Sequence, residues 1–172
     1  QNSMDQFISS VDIITFEFEN IPYQTLNKIN NVKPVLPHPS INKIVQNRLT
    51  EKDFVNKLNI RTTQYTSVND EKDIFSNENL IPGILKTCTL GYDGKGQHQI
   101  NSTEDIKNDN IDFNKKYILE KLINLKKEIS VVITRFGHQK NEIYEPIENV
   151  HEDQILKHSK IPADIPESIK NK

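Results

Sequence analysis

The chain has 172 residues, 22 of them Lys or Arg and 24 Asp or Glu, which gives a formal net charge of −2 at pH 7. This length fits one domain or parts of two. The near balance of charge excludes the bulk basic field of a nucleic-acid binder, and no apolar run approaches the roughly 20 residues of a membrane helix. A single cysteine, Cys88, excludes an internal disulfide framework and a cysteine-rich zinc site, and we expect a cytoplasmic location.

The first forty residues follow a strand, helix, strand pattern. Residues 11–19 begin as an apolar run and end in alternation, which predicts a strand whose end reaches a surface. Leu26 and Ile29 have helical spacing within residues 23–29, and Val35 starts a second short strand. This order is typical of α/β folds.

A longer helix is predicted next, with Ser40 as its N-cap. Apolar residues recur at three- and four-residue steps along it, and residues 50–53 are the place where it can break. These apolar residues are Ile41, Ile44, Val45, Leu49, Val55 and Leu58. After it, Tyr65 and Val68 predict a short strand, and residues 70–79 are polar enough for a surface helix.

Strands dominate the rest of the chain. They are predicted at residues 84–87, 97–100, 116–123, 127–135 and 142–146. Helices are predicted at residues 104–108, capped by Ser102 or Thr103, and at residues 153–159. The pattern changes from α/β to α+β near residue 38, so we expect one domain over residues 1–38 and a second over residues 39–172.

The most informative stretch is residues 91–97, Gly-Tyr-Asp-Gly-Lys-Gly-Gln. Its glycines allow unusual dihedrals and close approach to a ligand, and Lys95 with free N–H groups can hold an anion. Gln97 stands where a P-loop needs Ser or Thr, and the glycine order differs from the dinucleotide fingerprint. A hairpin loop that covers phosphates fits better; an ordinary flexible hairpin is the alternative.

Other residues have two interpretations each. Lys86 lies in an apolar strand and either holds phosphate or faces solvent from an edge strand. Glu120 precedes a segment that can offer backbone groups to a base, and Glu128 can accept from ribose hydroxyls; each is otherwise a surface residue. Arg48 either points into a site or lays its stem along apolar surface.

Together these residues resemble the ATP-grasp enzymes, and more closely the carboxyaminoimidazole ribonucleotide synthases of bacterial purine synthesis. The segments that match run in order along nearly the whole chain, at residues 15–22, 46–48, 51–54, 84–87, 91–97, 120–123, 127–131 and 148–151. The resemblance implies the end of a Rossmann-like pre-ATP-grasp domain followed by the first part of an ATP-grasp fold. Asn47 departs from the pattern, because the family usually has Asp there.

The resemblance also implies an ATP site. Arg48 and Lys86 match the phosphate-contacting pair, Glu128 the ribose-binding acid, and His151 a histidine of the nucleotide site, with an exposed surface histidine as the alternative. The loop that closes over the phosphates matches Gly91, Tyr92, Asp93, Gly94, Lys95, Gly96 and Gln97. The adenine-binding segment matches Glu120, Lys121, Leu122 and Ile123, in which backbone groups of Lys121 and Ile123 would pair with the base.

Catalytic roles are implied for Tyr92, Asp93 and Lys95, with Tyr92 and Asp93 facing the second substrate. Glu17 or Glu19 would line that substrate's pocket. The family's opening glycine-rich turn and its later metal-binding acids have no counterpart in this sequence, so we expect an interior piece that binds nucleotide weakly when alone. Magnesium is expected with ATP, and its ligands are expected outside this chain.

The implied reaction joins bicarbonate to the amino group of aminoimidazole ribonucleotide while ATP is cleaved to ADP and phosphate, through carboxyphosphate. A homodimer with no nucleic-acid or membrane partner is expected. One alternative is another ATP-grasp carboxylate–amine ligase, such as the formate-using purine enzyme or biotin carboxylase. A different alternative is a module that binds nucleotide without chemistry.

Overall fold

The computed structural model describes residues 3–91, 95–137, 140–153 and 155–170. The described residues divide into two compact units. The first takes those within Gln1–Tyr92 and Gly96–Leu122, and the second those within Asp93–Lys95 and Ile123–Lys172. The predicted domain boundary near residue 38 lies inside the first unit and stays a prediction.

The first unit begins with a helix and two short paired strands. The elements are α1 (Ser3–Ser9), β1 (Ile14–Thr15), α2 (Tyr23–Asn30) and β2 (Val35–Leu36). Strand β1 runs parallel to β2, and Ile14, Leu26, Ile29 and Val35 form a buried cluster between these elements. The strand, helix, strand prediction is confirmed, but β1 is far shorter than residues 11–19. Pro34, just before β2, has no N–H to continue the ladder towards the start of the predicted strand, and only Ile14 and Thr15 pair with β2.

Two helices replace the single long helix that the periodicity predicts. They are α3 (Pro39–Val45) and α4 (Arg48–Lys57). His38, and not Ser40, is the N-cap of α3, and its ring accepts from the Ser40 N–H. The break falls at Asn47 because its side chain accepts from the N–H groups of Leu49 and Thr50 and so starts a new helix.

A four-stranded sheet with helices on one face forms the rest of the first unit. Its elements are β3 (Tyr65–Val68), α5 (Glu71–Phe75), a 3₁₀ turn (Glu78–Leu80), β4 (Gly83–Thr87), β5 (Gln97–Ile100), α6 (Asp105–Asn108) and β6 (Tyr117–Lys121). The strand order is β3-β6-β4-β5, and all neighbours are antiparallel. One face carries the main core, formed by Val68, Ile74, Leu80, Leu85, Ile100, Ile106, Tyr117 and Leu119.

Helix α6 lies where the sequence predicts it, but its cap differs. Its N-cap is Glu104, which makes no side-chain cap hydrogen bond. Instead, the Asp105 carboxylate turns back and accepts from the N–H groups of Asn101 and Ser102. Ser102 therefore serves as a donor and does not cap the helix.

The second unit consists mainly of strands. They are β7 (Glu128–Ser130), β8 (Ile133–Phe136), β9 (Lys140–Ile143), β10 (Ile147–Glu152) and β11 (Ile155–Lys160), followed by α7 (Glu167–Lys170). One sheet has the order β11-β10-β7, and β8 pairs with β9. The predicted strand over residues 127–135 is thus two strands in different sheets.

The predicted helix at residues 153–159 is wrong. Residues 155–159 lie in β11, which pairs antiparallel with β10 and places Val150 opposite His158. Pairing with a neighbouring strand overrides weak local propensity in such short segments. Asp153 has a positive φ of 50°, which suits the tight connection between the two strands. Among the described helices, none is long and apolar enough to cross a membrane.

Candidate functional site

A charged cluster lies on the face of the four-stranded sheet opposite the core. In β4, Leu85 faces the core, so Lys86 points to the other side. Its Nζ donates to Glu120 Oε2 at 2.9 Å, and Lys52 Nζ from α4 lies 3.4 Å from Oε1. Glu120 is only 8% exposed. Because β4 lies between β6 and β5, Lys86 is not on an edge strand.

Arg48, at the start of α4, is held by backbone carbonyls. Its Nη1 donates to the Thr87 oxygen and its Nη2 to the Gly91 oxygen, each at 2.7 Å. Its own N–H donates to the Cys88 oxygen at 2.9 Å. The half-buried guanidinium therefore points inward and fixes the chain where β4 leaves the sheet towards the glycine-rich segment.

An open cavity of about 350 Å³ lies beside this cluster. It is lined by Arg48, Glu51, Lys52, Val55, Thr62, Lys86 and Glu120. Three cationic side chains face two acidic ones, so the local field favours an anion even though the whole chain is nearly neutral. Arg48 and Lys86, which the sequence pairs at a phosphate, do line one cavity.

A smaller cavity of about 90 Å³ shares two of these residues. Its lining is Glu19, Val45, Gln46, Arg48, Glu51 and Leu90. Gln46 Nε2 donates to the carbonyl oxygens of Glu19, at 2.8 Å, and of Ile21. This amide ties the segment after β1 to the helix that precedes Arg48. Glu17 lies instead in a neighbouring cavity of about 190 Å³ with Phe18, Glu19 and Asn20.

Glu51 lines both cavities, and its surroundings disfavour the ionised form of its carboxyl. Partial burial raises its pKa above the ordinary value of 4.5, and the nearby carboxylates of Glu19 and Glu120 raise it further. Lys52 and Arg48 act in the opposite direction without cancelling the effect.

The glycine-rich loop is described only in part. Tyr92, Asp93 and Gly94, for which binding and catalytic roles are expected, lie outside the described residues. Gly96 has φ +69°, and its carbonyl accepts from the Thr87 N–H at 2.9 Å. A side chain at Gly96 would lie 2.8 Å from Thr87 Oγ1, so glycine is required here for closeness as well as for φ. Gln97 pairs with Lys86, and Lys95 is exposed and belongs to the second unit.

The predicted adenine-binding segment continues from Glu120 along the end of β6. The Lys121 N–H donates to the Gln64 oxygen, and the Leu122 N–H donates to the Pro82 oxygen, each at 2.9 Å. The Lys121 carbonyl accepts from Thr63 Oγ1 at 2.9 Å, which uses one of its two lone pairs. Ile123 is about half-exposed and lies in the second unit. The expected hydrogen bonds from backbone groups of Lys121 and Ile123 to the adenine base stay a prediction.

Glu128 and His151 come together in the second unit. Strand β7 pairs with β10, and His151 Nδ1 lies 3.5 Å from Glu128 Oε2. Both side chains keep substantial exposure. Glu128 and His151, two of the predicted nucleotide ligands in this unit, are therefore neighbours, and Arg48, Lys86 and Glu120 line one cavity in the other unit.

Sequence reasoning missed Lys52 and Glu51. Lys52 follows Arg48 by four residues, so the two side chains lie one above the other on α4. This spacing of two cationic residues could have identified Lys52 from the sequence. None of the described residues of α4 is buried. Cys88, for which no role is predicted, is buried, and burial raises the pKa of its thiol.

The described residues include no group of three or more His, Cys, Asp or Glu side chains placed to hold a metal ion. Carboxylates are present in the cavity, but Glu51 and Glu120 share it with three cations. This donor set does not fit a divalent cation.

The chain matches two family models. Residues 53–172 match the ATP-grasp domain, and residues 1–46 match the ribonucleotide synthetase preATP-grasp domain. This chain belongs to the ATP-grasp family. The expected fold, the end of a pre-ATP-grasp domain followed by the first part of an ATP-grasp fold, is confirmed.

Several relatives of this chain carry the name N5-carboxyaminoimidazole ribonucleotide synthase. The N5-carboxyaminoimidazole ribonucleotide synthase of Brucella melitensis is 36% identical over 168 residues, which cover 95% of this chain and 46% of that protein. Two solved structures cover 98% of this chain: an N5-carboxyaminoimidazole ribonucleotide synthetase in complex with ADP, with TM-score 0.90 and 30% identity, and the Staphylococcus aureus N5-carboxyaminoimidazole synthetase with ADP, with TM-score 0.89 and 31% identity. They are covered over 45% and 46% of their length, so the chain spans about half of its relatives.

Proposed function

We propose that this chain forms the nucleotide-binding part of an ATP-dependent ligase that carboxylates aminoimidazole ribonucleotide. Bicarbonate, ATP and the ribonucleotide are the substrates, and N5-carboxyaminoimidazole ribonucleotide, ADP and phosphate are the products. The observation that carries the proposal is the cavity that Arg48 and Lys86 both line, in a chain of which 95% aligns with an N5-carboxyaminoimidazole ribonucleotide synthase.

The chain's own residues would act on the charge of the nucleotide. Lys86 Nζ, on a strand in the middle of the sheet, would donate to phosphate oxygens, and Arg48 would hold the backbone that leads into the loop. Such fixed positive groups stabilise charge as it develops on the transferred phosphoryl group. Glu120 to Ile123 would hold the base, and Glu128 and His151 the ribose side of the nucleotide.

The proposed reaction has two steps. A bicarbonate oxygen attacks the γ-phosphorus of ATP and ADP leaves, which gives carboxyphosphate. The amine of the ribonucleotide attacks the carbonyl carbon, phosphate leaves, and the nitrogen gives up one proton. Glu19, which lines the smaller cavity beside Arg48, is the candidate contact for the amine substrate within the first unit.

Other parts of the proposal concern the whole protein. ATP would be used with magnesium, which supplies further charge neutralisation at the phosphates. None of the residues that the structure describes is assigned to it, because their donor sets do not fit. A homodimer in the bacterial cytoplasm completes the proposal.

An isotope experiment tests the proposed reaction. Protein expressed from the whole reading frame would be incubated with ATP, magnesium, the ribonucleotide and bicarbonate labelled with ¹⁸O. Because a bicarbonate oxygen bonds to the γ-phosphorus, one labelled oxygen should appear in each phosphate released. Replacing bicarbonate by formate, or the ribonucleotide by other amines, should stop ADP release. Labelled oxygen absent from the phosphate, or equal activity with formate, would contradict the proposal.

A further inference from the structure

Glu120 has one more cationic partner than its charge requires. Its two carboxylate oxygens each meet a different lysine, Lys86 Nζ at 2.9 Å and Lys52 Nζ at 3.4 Å. The lysines come from β4 and α4, which are unrelated in sequence. A buried carboxylate needs a compensating charge, but a single lysine supplies it. Lys52 also acts on the nearby Glu51 carboxylate, but its ion-pair contact is with Glu120, so a second lysine at Glu120 needs an explanation of its own.

The position of Lys52 is fixed by more than one contact. Its ammonium lies 5.6 Å from the centre of the Tyr65 ring, a cation–π distance. The Tyr65 hydroxyl in turn donates to Asp53 Oδ1 at 2.7 Å, which holds the ring against α4. Only 18% of the Lys52 side chain is exposed. Its charge is therefore kept at Glu120 and is not free to follow a ligand.

Nucleotide binding at Lys86 creates a problem that this geometry solves. In the structure Lys86 is paired with Glu120, so a phosphate that approaches Lys86 competes with that carboxylate. If Glu120 had no other partner, releasing Lys86 would leave a charge that is 8% exposed without compensation, which is strongly unfavourable.

We infer that Lys52 is a positioning residue which retains the Glu120 carboxylate while Lys86 binds nucleotide phosphate. The inference rests on the proposed function. With Lys52 present, the bound state contains two balanced pairs, Lys86 with phosphate and Lys52 with Glu120. Without it, Glu120 holds Lys86 and opposes the phosphate.

A different role for Lys52, direct contact with phosphate, makes an opposite prediction. In that case its loss weakens nucleotide binding whatever residue stands at position 120. If Lys52 acts through Glu120, its loss matters only while position 120 is charged. The two roles are separated by a double-mutant cycle.

The cycle is measured by calorimetric titration of ADP into protein from the whole reading frame. Lys52→Met, which keeps the stem length, should weaken ADP binding about tenfold, the loss of one charge-assisted interaction. In the Glu120→Gln background the same change should alter affinity by less than about twofold. Lys52→Arg should keep most of the affinity because the charge remains. Lys57→Met, at the exposed end of the same helix, is the matched control, and thermal unfolding of each variant checks that it folds.

Each remaining outcome is decisive. Equal weakening in both backgrounds, or no effect of Lys52→Met in either, overturns the inference. Lys86→Met separates this from the proposed function: if it weakens ADP binding while Lys52→Met does not, the inference fails and the proposed function stands. If ADP does not bind the wild-type protein, both fail.

Discussion

Lys86 carries the clearest link between a residue and the proposed activity. Its strand places it opposite the core, and its ammonium reaches a buried carboxylate at 2.9 Å at the rim of a cavity. The amino-acid pattern alone gave Lys86 two interpretations, a phosphate ligand beside a glycine-rich loop or a solvent-facing lysine on an edge strand. The pattern gave no sign that Glu120 is its partner, since that contact joins residues 34 positions apart.

Removing the Lys86 charge should weaken nucleotide binding. We expect Lys86→Ala to lower the binding free energy of ADP by about 1.5–3 kcal/mol, the scale of a hydrogen bond to a charged group. Calorimetric titration measures it, with Lys107→Ala on the exposed face of α6 as the control. An ADP affinity equal to that of the control would return Lys86 to a purely structural role.

Glu51 allows a prediction about pH. Its raised pKa comes first from burial and then from Glu19 and Glu120. A raised pKa means that the native state binds the proton more tightly than the unfolded chain, so lowering the pH through that pKa stabilises the native state. Below the ordinary value of 4.5 both states are protonated and nothing more is gained. At neutral pH the ionised carboxylate therefore lowers stability.

Glu51→Gln should remove that penalty. The variant should melt at a higher temperature than the wild type at neutral pH, and the difference should shrink to nothing at about pH 4. Thermal unfolding followed by circular dichroism over this pH range measures it, with Glu78→Gln, an exposed residue of the same unit, as control. A difference that persists unchanged at acid pH would show that its cause is not the ionised carboxylate.

Among the helices, the N-caps set the boundaries that the sequence pattern did not predict. Periodicity correctly predicted helical residues on both sides of Asn47, but the side-chain hydrogen bonds of Asn47 start a second helix there. This start places Arg48 in the first turn of α4, where its N–H meets the Cys88 carbonyl. The apolar stripe gave no sign of this, because it continues across the break.

Strand pairing explains the other errors. Residues 155–159 were predicted to be helical, but pairing with the adjacent strand β10 makes them extended. By contrast, β3, β4, β5 and β6 were predicted close to their observed bounds, because alternation or an apolar run marks each of them. Elements that local pattern specifies were found, and elements that depend on a neighbour were not.

Gly83, at the start of β4, is required by the sheet. A Cβ at this position would lie 2.6 Å from the Leu80 carbonyl oxygen and 2.8 Å from that of Glu120. Both are backbone atoms, so a Cβ at position 83 fits only if β6 or the 3₁₀ turn moves. Gly83→Ala should lower the free energy of unfolding by about 1–3 kcal/mol, the range for overpacking. Urea unfolding measures it, and Ser67→Ala, which adds no atom to β3 of the same sheet, is the control. Equal urea midpoints would contradict this packing.

At the scale of the whole chain, the two units differ in how they bury apolar side chains. The first has two buried clusters. Among the described residues of the second, none reaches full burial. Its exposed apolar residues include a cross-strand pair, Ile133 and Ile143, which are 60% and 68% exposed. Apolar surface of this kind marks a place of contact with other protein surface.

The 172-residue chain should therefore associate when it is expressed alone. Its sedimentation coefficient should rise with concentration, because contact between exposed apolar faces removes them from water. Replacing Ile133 and Ile143 together by Thr should reduce this rise. The control substitution Thr66→Ser, in the first unit, should leave it unchanged. A chain that sediments as a monomer at every concentration would contradict the prediction.

The central claim is that the cavity beside Lys86 serves an ATP-dependent ligase. The most direct test is steady-state ADP release by protein from the whole reading frame, with saturating ATP, magnesium and bicarbonate, in the presence and absence of aminoimidazole ribonucleotide. We predict ribonucleotide-dependent release at an ordinary enzyme rate of about 1 per second or more, retained in Lys107→Ala and lost in Lys86→Ala. ADP release that does not depend on the ribonucleotide, or that survives unchanged in Lys86→Ala, would contradict the claim.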